Sequence, residues 1–169
     1  MSAPVPGPRI TPFLWFTREA EEAAAFYTAI FPNSRITDVA RYEGEAASEG
    51  GPQTGDVLTV AFELDGIPFV ALNGGPAFRF TEAISFLVSC VDQAEVDHYW
   101  ERLGEGGDPS AQQCGWLKDR FGVSWQVVPT RLAELMSDPD PARAARVTVA
   151  LLAMKKLDIA ELERAAAEG

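Results

Sequence analysis

Histidine is nearly missing from this chain: His98 is the only one in 169 residues, and cysteine occurs twice, at Cys90 and Cys114. One imidazole excludes any centre built within a single chain from two or three, which covers most catalytic zinc sites. Two thiols in a chain without an export signal normally stay reduced, so both read as small buried apolar residues rather than a redox pair. Positive charge is scarce too, with 14 Lys and Arg against 25 Asp and Glu and a formal net charge of −11. A phosphate backbone rewards the opposite balance, which argues against nucleic acid and acidic membranes as partners. No apolar run approaches the roughly 20 residues that cross a bilayer. The opening residues Met1 to Pro8 have neither the basic nor the apolar region of a secretory signal, so a cytoplasmic location is expected. There is no Ser-His-Asp set, Walker loop or CxxC pair.

What is present suits one compact unit, or two small modules sharing a core, because 47% of residues are hydrophobic and only 23% charged. Residues 1–8 hold three of the prolines and read as an extended tail. Ile10 to Phe16 is short, apolar and aromatic, which predicts a buried strand. Thr17 is placed to cap a helix with Glu19, Glu21 and Glu22 in its first turn and Ala20, Ala23, Phe26, Tyr27 and Ile30 on its apolar face. Strands are expected at Ser34 to Tyr42, Thr54 to Leu64 and Ile67 to Asn73. The stretch from Glu43 to Gln53 reads as a polar loop, Asp65-Gly66 as a two-residue hairpin turn, and Gly74-Gly75-Pro76 as the stop. The first module, residues 9–76, is therefore β-α-β-β-β.

The same order returns. At an offset of 73, Phe13-Leu14 falls on Phe86-Leu87, Glu22 on Glu95, and Phe26-Tyr27 on Tyr99-Trp100. At an offset of 56, Gly66-Ile67-Pro68-Phe69 falls on Gly122-Val123-Ser124-Trp125, matching a turn glycine and the aromatic that follows it. The second module, residues 82–129, reads as a strand at Ala83 to Val91, a helix at Gln93 to Leu103, a poorly marked strand within Asp108 to Gln113, and a hairpin from Gln112 to Lys118 and Val123 to Pro129. Such duplication decides the fold class. It is α+β: two βαβββ modules curling into one open, barrel-like sheet with a concave face, plus a helical extension over residues 130–169. The extension includes an amphipathic segment, Pro141 to Met154, suited to packing on the sheet or to burial in a homodimer.

Several stretches resemble one known family. Thr11-Pro12-Phe13-Leu14-Trp15-Phe16, Ala20-Glu21-Glu22-Ala23 with Phe26-Tyr27, Leu72-Asn73-Gly74-Gly75-Pro76, and Cys114-Gly115-Trp116-Leu117-Lys118-Asp119-Arg120-Phe121-Gly122 with Trp125-Gln126 are similar to the PhnB-like branch of the vicinal-oxygen-chelate superfamily. That superfamily includes glyoxalase I, bleomycin-resistance proteins and extradiol dioxygenases, and the resemblance runs over residues 9–160. Many relatives carry a demethylubiquinone methyltransferase label. A methyl-donor site of the usual kind follows a strand with a glycine-rich loop in a doubly wound sheet, whereas Gly74-Gly75-Pro76 leads toward another strand, and fold-level association does not establish chemistry. In metal-using members His or Glu side chains come from four inner strands. The equivalent points here fall on Ile10, Val70, Ala83 and Gln126, a shift of one brings Thr11 and Ser85 nearer, and none of these grips a divalent cation well. The resemblance therefore implies the fold and a pocket, with no metal and no cofactor.

Six residues are candidate ligand contacts: Trp15, Phe69, Asn73, Ser85, Trp116 and Gln126. Gln126 alternates with Trp125 and Val127, so it faces either a cavity or a partner's backbone. Asn73 before two glycines bonds a ligand or its own backbone. The strand aromatics fill a core or line a cavity suited to a planar ligand. His98 is expected on an exposed helix face, and Lys118 or Arg120 at a hairpin tip holds an anionic substrate or is simply solvated. The function expected is binding or modification of a small apolar or aromatic metabolite by a metal-free homodimer. The alternatives are a metal-dependent lyase or dioxygenase using Glu63, Glu82 or His98, and a structural module whose cavity is filled by its own side chains.

Overall fold

A computed structural model describes residues 8–43 and 53–168. Most of the expected tail (residues 1–8) and of the polar loop (residues 43–53) lies outside them. The chain divides into two compact units between Arg79 and Phe80, close to the boundary between the two sequence repeats.

In the first unit, β1 (Phe13–Phe16) is followed by α1 (Ala20–Thr28), β2 (Arg35–Arg41), β3 (Val57–Leu64) and β4 (Ile67–Asn73). The sheet order is β1-β4-β3-β2, with β1 parallel to β4 and the other neighbours antiparallel. Asp65 and Gly66 both take positive φ, 46° and 78°, the pair of values that a two-residue hairpin twisting with its strands requires. Thr17 does not cap α1, as its sequence position had suggested. The Ala20 amide instead donates to Asn73 Oδ1 at 2.9 Å, so the cap comes from the far end of β4.

In the second unit, β5 (Phe86–Cys90) leads into α2 (Gln93–Gly104), a single 3-10 turn (Pro109–Ala111), β6 (Trp116–Lys118) and β7 (Ser124–Pro129). The sheet order is β5-β7-β6, with β5 parallel to β7. The strand sought within Asp108 to Gln113 is replaced by the 3-10 turn and one isolated bridge, Gln113 to Trp116. Proline at the start of that turn has no N–H for a ladder. Beside it, Gly107 lies so close to the backbone of β6 that a Cβ there would stand 2.1 Å from the Lys118 carbonyl oxygen. The described strands thus hydrogen-bond into two sheets, one in each unit.

Pairing also corrects the repeat by one residue. Leu14 sits opposite Ala71, and Val88 sits opposite Val127, with all four buried. The hairpin offset of 56 (Ala71 to Val127) therefore holds, while the first strand matches at 74 (Leu14 to Val88), not 73.

The extension forms α3 (Thr130–Met136), α4 (Pro141–Ala153) and α5 (Ile159–Ala167). Rather than lying on the sheet, the apolar side of α4 turns Val147 into a separate cluster with Leu135, Met154, Leu157, Leu162 and Ala166. The stretch around Cys114 ties this cluster to the second sheet: the Cys114 and Gly115 amides donate to the carbonyls of Met154 and Lys155 at 2.9 and 2.8 Å. Gly115, at φ 84°, admits no side chain, since a Cβ would stand 2.9 Å from the Val127 carbonyl oxygen and 3.1 Å from Leu157. Gln93 completes the tie, donating to Leu157 O at 3.1 Å and accepting from the Ile159 amide at 2.9 Å. Gln93→Ala leaves both backbone groups unpaired, and urea unfolding should show a loss of about 1–3 kcal/mol; an unchanged midpoint would mean that the tie contributes nothing.

Candidate functional site

Side chains alternate across each sheet, and the helix covers one face only. In the first unit Leu14, Phe16, Val60, Phe62, Phe69 and Ala71 are buried on the face toward α1. Phe62 stacks on Phe69 at 5.5 Å and on Tyr27 of α1 at 6.3 Å. Phe69 is only 6% exposed, so this candidate ligand contact is core: its place in the alternation sends it to the helix side.

The uncovered face carries rows set by register. Phe13, Val70 and Ala61 form one row, and Trp15, Leu72 and Thr59 the next. Phe13 is 59% exposed, although it is a large apolar ring in the middle of a domain sequence. Trp15 is half-buried; its indole N–H donates to Gly75 O at 2.9 Å, and Phe78 meets it edge-on at 4.9 Å. A Cβ on Gly74 would lie 2.2 Å from the indole. Gly74 is thus packed against a tryptophan of its own chain, which leaves no room there for a side chain. Asn73 is committed as well: besides accepting from Ala20, its amide donates to Val57 O at 3.0 Å, and its carbonyl accepts from the Tyr42 hydroxyl at 2.8 Å. Asn73 fixes where β1, α1 and β4 meet.

The second sheet buries Val88, Cys90, Leu117, Trp125 and Val127 toward α2. Trp125 is locked by Asp119, whose carboxylate accepts from the indole N–H at 2.8 Å and from the Phe121 and Val123 amides at 2.9 and 3.0 Å. A buried carboxylate with three donors is a turn-former, not a catalytic group. Burial drives the Cys90 thiol up to about 12, with Glu95 and Asp92 adding to it, so Cys90 is a chemically quiet core residue. Cys114, also free, is only half-buried.

On the opposite face Trp116 pairs with Gln126, Gln126 with Leu87, and Lys118 with Ser124. Gln126 donates to Ser85 Oγ at 2.8 Å, which joins two of the candidates. Lys118 forms an ion pair with Glu82, and the ammonium holds the Glu82 carboxyl below the usual carboxylate range. Sequence reasoning missed Ser124. It is 2% exposed, and its hydroxyl has no hydrogen-bond partner among the described residues. A period of two from Gln126, and its position across the turn from Lys118, would have put it on this face.

The remaining candidates are spread out. Glu63 is paired with Arg35 at 2.8 Å, Arg120 with Glu105 at 3.2 Å, and His98 is exposed on α2 with its ring edge-on to Tyr99. No group of three or more His, Cys, Asp or Glu able to hold a metal ion occurs among the described residues. Val70 and Gln126, two of the superfamily's ligand points, offer a hydrocarbon and a neutral amide already bonded to Ser85, a poor donor set for a divalent ion. A cleft of about 460 Å³ lies between α4 and α5, lined by residues such as Arg146, Glu161 and Arg164, and one of about 530 Å³ lies between the start of α2 and the C-terminal helices, lined by Asp92, Arg131, Asp158 and Glu163; neither has an aromatic ring.

The family model described as 3-demethylubiquinone-9 3-methyltransferase matches residues 8–128. The chain belongs to this PhnB-like family. A solved structure described as a putative 3-demethylubiquinone-9 3-methyltransferase, PhnB protein, from Bacillus cereus is 33% identical over 73% of this chain and 100% of that one, with a TM-score of 0.62. A protein from Pseudomonas aeruginosa is 19% identical, covering 73% of this chain and 98% of its own, with a TM-score of 0.56. The fosfomycin resistance protein FosX from Listeria monocytogenes is 17% identical, covering 77% and 97%, with a TM-score of 0.50. The last two show the fold alone, that of the glyoxalase and bleomycin-resistance proteins. A comparison with curated proteins finds no match. The family match stops near the end of β7, so the three C-terminal helices of this PhnB-like chain lie beyond it.

Proposed function

We propose that this PhnB-like chain binds or modifies a small apolar or aromatic metabolite on the uncovered faces of its sheets, without a bound metal or methyl donor. The observation that carries this reading is the composition of those faces. Rings and aliphatic chains that a folded chain would normally bury stand in register there: Phe13 and Trp15 beside Val70 and Leu72 in the first unit, Trp116 and Leu87 beside Gln126 in the second. An aromatic surface with a few polar groups is what an apolar ligand rewards. The methyltransferase description is not carried over, because the glycine turn after β4 has Gly74 packed on the Trp15 indole and does not lead from a strand into a helix of a doubly wound sheet. No helix is long and apolar enough to cross a membrane among the described residues, and a water-borne ligand and a cytoplasmic location accord with that.

The chain is also proposed to be a homodimer. Val149 and Leu152 on α4 are 70% and 61% exposed on the side opposite Val147, an apolar stripe that a second copy would remove from water.

Thermal-shift screening of the unmodified protein against aromatic and aliphatic metabolites tests the first reading, because a ligand that binds only the folded state raises its melting temperature by mass action. Aromatic compounds should stabilise the protein, S-adenosylmethionine should not, and protein prepared without chelators should hold no metal. Stoichiometric zinc, iron or nickel would favour the metal-dependent lyase or dioxygenase reading. Light scattering should give twice the 18.3 kDa chain mass; a monomer would contradict the dimer.

A further inference from the structure

The uncovered face of the second sheet carries more than apolar surface. Lys118 and Ser124 are direct partners across the β6–β7 hairpin, and Trp116 and Gln126 pair two residues further along it, so all four project from the same face. Ser124 is buried, and its hydroxyl has no partner among the described residues. An uncompensated buried hydroxyl costs stability and is rare in a folded protein unless something outside the chain completes it. Its neighbour Lys118 supplies an ammonium whose present partner, Glu82, belongs to no helix or strand. Asp108, whose charge Lys118 also steadies, is held by the amide and hydroxyl of Ser110 at 2.8 and 2.7 Å. Glu82, in a turn and with 63% of its side chain exposed, is the carboxylate that a ligand can displace.

We infer that this face is an anion subsite: Lys118 and Ser124 take the carboxylate of an aromatic acid whose ring lies on Trp116, and Glu82 occupies the anion's place until the ligand displaces it. The inference rests on the aromatic-ligand reading above and narrows its substrate class to organic monoanions. Gln126, bonded to Ser85, borders the ring position and fixes orientation. A charge-assisted bond to Lys118 together with a hydroxyl donor favours an anion over the matching neutral amide, and the unoccupied state keeps its lysine neutralised in a chain of net charge −11.

The test titrates the full-length protein with benzoate, 2-naphthoate and indole-3-acetate and with the three corresponding amides, followed by calorimetry or NMR. The acids should bind about tenfold or more tighter than the amides, a preference that Lys118→Met abolishes. Glu82→Gln should tighten acid binding by removing the competitor. Ser124→Ala should weaken it about fivefold, yet raise the melting temperature of the free protein by deleting an unpaired hydroxyl. A purely structural serine would not give that opposition of stability and affinity. Amides that bind as well as acids, or a Lys118→Met variant that keeps the preference, would overturn the anion subsite while leaving the aromatic-ligand reading intact. Failure of both acids and amides to bind would overturn the two together. A Ser124→Ala variant that melts lower with unchanged affinity would remove Ser124 from the site and overturn the inference as stated.

Discussion

Parallel pairing between the first and last strands of each unit is the constraint from which the rest follows. β1 lies parallel to β4, and β5 to β7. Parallel neighbours cannot be joined by a tight turn, so the chain must cross over one face of the sheet, and in each unit it does so with a helix that follows the first strand. That helix claims every second side chain for the core: Leu14, Phe62 and Phe69 under α1, Val88, Trp125 and Val127 under α2. The alternate residues, Phe13, Trp15 and Val70 in one unit and Leu87, Trp116 and Gln126 in the other, remain on the face that the crossover does not reach. Function is read from this second set.

Each unit secures its crossover with a different polar device. In the first, the Asn73 side chain caps α1, holds β3 through the Val57 carbonyl, and lies next to the Gly74-Gly75 turn that encloses the Trp15 indole. The second uses Asp119, which closes the β6–β7 turn and pins Trp125 under α2. Both groups are fully employed as structure. The polar groups with spare or displaceable capacity are instead Ser124 and Lys118, on the face away from α2. Among the described residues the Ser124 hydroxyl is buried without a partner beside an exposed ion pair, and on this the proposed ligand site rests.

Much of this was legible in the sequence because it follows from short-range signals. The duplicated aromatics around Phe13 and Phe86, the Asp65-Gly66 turn and the amphipathic helices gave the element order. What escaped depends on register, which a single sequence does not fix. Two Phe-Leu pairs, at residues 13–14 and 86–87, invited an offset of 73, while the buried positions Leu14 and Val88 align one residue further on. The same one-residue ambiguity decides faces, since a shift of one sends every side chain to the other side of a sheet. It is why Phe69 looked like a ligand contact and why Ser124 was passed over. The missing outer strand of the second unit was hidden for another reason: Gly107 sets a close backbone approach to Lys118, a tertiary contact with no periodic trace.

The central claim is that the face turned away from α2 is where this protein meets its ligand. Amide and indole chemical-shift mapping of the uniformly 15N-labelled protein with saturating 2-naphthoate measures this most directly. The account predicts perturbation of the Trp116 indole and of the Leu87, Ser124 and Gln126 amides, with the Trp125 indole unmoved because Asp119 holds it beneath the helix. Shifts confined to the C-terminal cleft around Arg146, Val149 and Arg164 would contradict it.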